Sequence, residues 1–122
     1  MSLRAYQQVA QRAETPRDAE YRLFAQVTRA LMELKSTPRA EVKAWIDTLD
    51  WNRQLWTTLA WECGRSGNAL PEATRGQIIS LAGWVRRHTS AVMRREDEVD
   101  ALIDVNRMMM QGLSGRTEPA QV

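Results

Sequence analysis

Apolar side chains along this chain recur at intervals of three and four residues, and no stretch alternates with period two. That spacing predicts helices throughout. Residues 3–13 carry a short stripe of Leu3, Tyr6, Val9, Ala10 and Ala13. A helix of that length is marginal in water by itself, so the segment must dock or fray. Thr15-Pro16-Arg17-Asp18 is a start signal: threonine caps, proline suits the first turn, and aspartate meets the positive helix end. Behind it Tyr21, Phe24, Val27, Leu31 and Leu34 share a face. Thr37-Pro38 repeats the signal and predicts a second, longer helix running to Cys63, stopped by Gly64. A turn region over 64–68 precedes Leu70-Pro71, which starts a third helix with Ile78, Ala82, Val85, Thr89 and Val92 on one side. The last helix is predicted from near Asp97, with Leu102, Ile103, Asn106, Met109, Met110 and Leu113. The fold class that follows is all-α, a small helical bundle of four principal helices plus a short N-terminal helix. Residues 1–113 read as a single helical domain and 114–122 as a disordered tail with little to bury.

Two polar residues interrupt the apolar stripes. At about 100° per residue, Trp45, Asn52, Trp56, Leu59 and Cys63 share one face of the second helix, with Asn52 near its middle. Asn106 holds the same place in the last helix, and each asparagine is followed by an arginine. A buried amide left unpaired costs roughly 1–3 kcal/mol. Both are therefore expected to be hydrogen-bonded, to each other or to freed backbone. A structural register pin between packed helices is favoured over a direct grip on a ligand. The spare tryptophans pose a different question. Trp61 falls more than a right angle off the stripe, Trp51 sits at its flank, and Trp84 is equally ambiguous. An indole buries on the order of 150–250 Å². Either a second layer or the N-terminal helix covers these rings, or they anchor another protein.

Composition narrows the function classes. The chain has 122 residues, 43% of them apolar, enough for a core without staples. Seventeen basic and fifteen acidic side chains leave a net charge of +2, a small excess and not a polycation. Arg86, Arg87, Arg94 and Arg95 crowd the end of the third helix, and Glu96, Asp97, Glu98 and Asp100 open the next. The two helix dipoles favour that order, and the acids cancel much of any attraction for phosphate. Direct nucleic-acid contact is therefore disfavoured. Cys63 is alone, which rules out an internal disulfide and suits a reducing compartment. The N-terminus is too polar for a secretory signal and no apolar run approaches a membrane span, so a cytoplasmic protein with no membrane contact is expected. Chemistry is scarce: His88 reads as a packed imidazole and Cys63 as core. No metal-ligand spacing, phosphate loop or carboxylate pair stands out, so neither an enzyme nor a cofactor or metal site is predicted.

Four blocks carry a resemblance. PRDAEYRLFAQVTRAL (16–31), WNRQLW (51–56), LPEATRGQIISLAGWVRRHT (70–89) and IDVNRMMMQGL (103–113) closely resemble the FlaF family of flagellar biosynthesis regulators of alphaproteobacteria. The order of the blocks and both Asn-Arg pairs make the resemblance specific, while 35–48 and 114–122 carry no pattern. It implies a cytoplasmic, non-enzymatic helper of flagellum assembly, a flagellin-directed chaperone needed for flagellin production or secretion. It also implies work beside FlbT, an antagonistic regulator that represses flagellin translation. The partners expected are flagellin and FlbT. The expected binding surface is an apolar groove built from Leu3, Tyr6, Trp51, Trp61, Trp84 and Met108, with Met109 and Met110 nearer the core. The alternative is an RNA-binding post-transcriptional regulator of flagellin translation acting with FlbT.

Overall fold

The computed structural model describes residues 2–5 and 15–113. Residues 3–5 are helical, and the rest of the expected N-terminal helix, Tyr6 included, lies outside the described residues, as does the expected tail. Four long helices follow: α1 (Pro16–Leu34), α2 (Val42–Cys63), α3 (Glu72–Met93) and α4 (Asp100–Leu113). The expected all-α bundle is present.

Thr15 caps α1 as its position suggested, its hydroxyl accepting from the Asp18 amide at 3.0 Å, with Pro16 in the first turn. The second start signal does not operate. The Thr37 hydroxyl turns back and donates to the Glu33 carbonyl at 2.7 Å, sealing the end of α1. With its oxygen engaged there, Thr37 caps nothing ahead of it, and α2 begins only at Val42. Trp45 pulls the intervening loop down, its indole N–H shared between the Thr37 and Pro38 carbonyls at 3.2 Å each.

The start of α4 also shifts. Arg95 adopts a positive φ of 61°, its amide donates to the Val92 carbonyl, and the Glu96 amide donates to that of Ala91. This pair of bonds is a Schellman closure of α3, usually completed by glycine. Asp97 then spends a carboxylate oxygen on the Glu98 amide, 2.9 Å away, and α4 starts at Asp100.

In the packing, α1 lies against both α2 and α4, and α2 lies extensively against α3. The fourth seam, between α3 and α4, is the slightest of the neighbouring contacts. Phe24, Leu31, Leu49, Trp56, Val85, Val92 and Leu102 fill the centre, where Phe24 meets Trp56 edge to face at 5.6 Å. The helices α2 and α4 stand diagonally opposed, their backbones apart, yet a polar chain joins them. The Trp56 indole N–H donates to Asn106 Oδ1 at 2.8 Å, and Asn106 Nδ2 donates to Asn52 Oδ1 at 2.8 Å. Of the two partners expected for these amides, each other or freed backbone, the asparagines take each other, with an indole as third member. Asn52 Nδ2 and Thr28 Oγ1, both buried, have no hydrogen-bond partner among the described residues.

Candidate partner-binding groove

The seam between α3 and α4 is closed at one end and open at the other. At the closed end a short connection forces the helices together. His88 is buried there, stacked on Trp84 at 4.7 Å, with Nε2 at 2.8 Å from the Glu98 carbonyl. A carbonyl only accepts, so Nε2 carries the proton. Arg39 reaches across from the α1–α2 loop, lies 3.9 Å above the Trp45 ring and donates to the Val92 carbonyl at 3.0 Å.

Toward the other end the two helices part, leaving a half-open cavity of about 480 Å³. Leu59 of α2 lies at its base, Ile78 and Leu81 form one wall, and Met108, Met109 and Leu113 form the other. Leu59, Leu81, Met109 and Leu113 also pack against the core, so this wall is continuous with the interior. Arg17 and Glu20 from the first turns of α1 add the polar border. Several apolar residues of this kind, two of them flexible thioethers, suit the apolar stripe of an incoming helix.

The mouth of the groove is held in shape by side chains of the α2–α3 loop and of the first turn of α3. Asn68 Nδ2 donates to the Glu62 carbonyl at 3.0 Å, while its Oδ1 accepts from the Leu70 amide at 2.9 Å. Arg75 donates through Nε to the Leu70 carbonyl at 3.1 Å and through Nη1 to that of Cys63 at 3.4 Å. Gly67 turns the chain with a φ of 88°, the left-handed region that glycine enters freely. Cys63 lies beneath this loop, and burial pushes its thiol up. A protonated, buried thiol is a packing group and not a nucleophile.

The expected binding residues separate. Met108, 64% exposed, lines the groove. Trp61, 63% exposed, and Trp51, 40% exposed, lie on the outer side of α2 and do not line it. No second layer covers these two rings among the described residues; Arg65 lies 4.8 Å above that of Trp61. Trp84 is half-buried against the core and His88, and so is not an open anchor. Leu3 is exposed and outside the groove. Asn52 and Asn106 are wholly buried in the polar chain. The α1 border and Leu81 are what the sequence reading missed. Leu81 sits beside the stripe of Ile78 and Val85, and that widened apolar arc was the available signal.

The basic cluster is partly engaged. Arg94 pairs with Glu96 at 2.6 Å, whereas Arg86 and Arg87 stand exposed. Among the described residues no three His, Cys, Asp or Glu side chains converge as a metal site, and no helix is long and apolar enough to cross a membrane.

Among the described residues the molecule is thus a small helical bundle with an apolar groove between the ends of α3 and α4. The family model for the flagellar protein FlaF matches residues 2–113, and the chain belongs to that family of flagellar regulatory proteins. No curated protein and no solved structure matches the chain.

Proposed function

We propose that this protein is a cytoplasmic flagellin-binding secretion chaperone that promotes flagellin synthesis and export. An amphipathic segment of flagellin lies in the α3–α4 groove, is kept from aggregating, and is released for assembly. Membership of a flagellar family supports the setting. The observation that carries the mechanism is the open seam walled by Ile78, Leu81 and Met109. A helix laid in such a groove buries its apolar stripe without any chemistry at the site. FlbT enters as a second partner: flagellin bound to the chaperone changes how much of it is free to meet FlbT.

The test is calorimetric titration of the purified protein with purified flagellin at about 0.1 and 0.5 M salt. Apolar burial is little screened, so affinity is expected to change less than about threefold. Met108→Asp, at an exposed wall residue, should weaken binding while circular dichroism stays helical. An affinity that collapses with salt, together with retention of flagellin mRNA, would favour the RNA-binding alternative, because counterion release is steeply salt-dependent.

A further inference from the structure

The groove carries an acid at its mouth, and the acid is poorly matched. Glu20 projects from the second turn of α1 onto the border of the apolar cavity, where it is half-buried. Glu62, one turn beyond Leu59 on α2, acts on it from the neighbouring helix. Burial pushes the Glu20 carboxyl above the ordinary range, the charge of Glu62 pushes it further, and Arg17 opposes both in part. Among the described residues neither Glu20 nor Glu62 belongs to an ion pair, whereas Asp47, Asp50, Glu96 and Asp100 each have a cation within 2.8 Å. Arg75 of α3 is committed to the Leu70 and Cys63 carbonyls, and Arg65 lies over the Trp61 ring. A half-desolvated carboxylate facing a like charge is less stable than one in water, and a cation brought beside it relieves both effects.

We propose that the groove selects an amphipathic helix presenting a lysine or arginine beside its apolar stripe, at the end that meets Glu20. This deepens the chaperone reading and rests on it. The apolar walls give affinity to any greasy helix, while the acid at one end gives direction and preference. A helix laid in the opposite sense would leave its cation at the closed end, away from Glu20. An equally apolar helix carrying an acid there would bring a like charge against Glu20.

The experiment uses the full chain and two synthetic amphipathic peptides with one apolar stripe, differing only in a lysine or a glutamate at the flanking position. Titration calorimetry at low salt is expected to show the lysine peptide binding about fivefold tighter, the upper end for a partly exposed ion pair. Glu20→Gln should bring the two peptides within about twofold of each other without lowering the unfolding midpoint, and Glu20→Lys should reverse the order. An unchanged preference in Glu20→Gln overturns the proposal and leaves the groove intact as a helix site. If neither peptide binds, the groove reading and this inference fall together. A fall in the midpoint of Glu20→Gln that matches its loss of binding would make Glu20 a packing residue and overturn the proposal too.

Discussion

The two ends of the α3–α4 seam are built from the same pair of helices and do opposite things. At the closed end, side chains tie loops and helix ends together through backbone carbonyls: Arg39 to Val92, His88 to Glu98, Trp45 to Thr37 and Pro38. At the open end Asn68 and Arg75 likewise fasten a loop, yet among the described residues the helix walls above it stand apart around the cavity. The diagonal chain of Trp56, Asn106 and Asn52 explains how both are possible. Together with the packing of α1 along α4, it holds α4 in the bundle where the α3–α4 seam is slight.

That contrast is easiest to break at the centre. Asn106 both accepts and donates within the polar chain, whereas Asn52 only accepts and already has an unpaired nitrogen. Asn106→Leu strands the Trp56 indole and the Asn52 amide together, and should cost about 2–4 kcal/mol in urea unfolding. Asn52→Leu strands one Asn106 donor and removes an unpaired group, so about 1 kcal/mol is expected. Equal losses would mean that the chain does not act as drawn. At the closed end, Arg95 occupies the left-handed region, and Arg95→Gly should raise stability by about 1 kcal/mol.

The open end should respond least in stability and most in binding. Met108→Asp places a charge on a mostly exposed wall residue, so unfolding should move by no more than about 0.5 kcal/mol. Flagellin affinity should fall at least tenfold all the same, an order-of-magnitude expectation for a charge in an apolar contact. Trp61→Ala sharpens the comparison: it should alter neither quantity much, and a lost partner would transfer function to the outer side of α2. The smallest effect concerns protons. Glu20 titrates above its unfolded value, so the folded state carries a penalty at neutral pH. That penalty disappears as pH falls through the window just above 4.5, the ordinary glutamate value. Relative to Glu20→Gln, the native protein should therefore gain slightly in stability on acidification across that window.

Much of the fold is legible in residue spacing. The stripes of α1 and α4, the Thr15 cap and the bond between Asn52 and Asn106 follow from periodicity and the cost of an unpaired amide. The false start at Thr37-Pro38 shows the limit, because a threonine hydroxyl has two directions in which to bond and only the end of α1 decides between them. Asp97 is a similar case, engaged with its own neighbour's amide instead of the helix end. The groove was harder to see. Trp51 and Trp61 are large apolar groups away from the buried stripe and are exposed, but the cavity is made by Ile78, Leu81 and Met109, ordinary residues of ordinary size. Its existence depends on how far α3 and α4 diverge, a property of the whole bundle that no single helix encodes.

Cys63 offers one more consequence. It is the chain's sole thiol, shielded beneath the loop at the open end and kept in its unreactive protonated form by that shielding. An alkylating reagent can reach it only when the local structure breathes. The natural protein thus carries an internal stopwatch: the rate of labelling counts how often the mouth unfastens, and a bound helix should slow the clock.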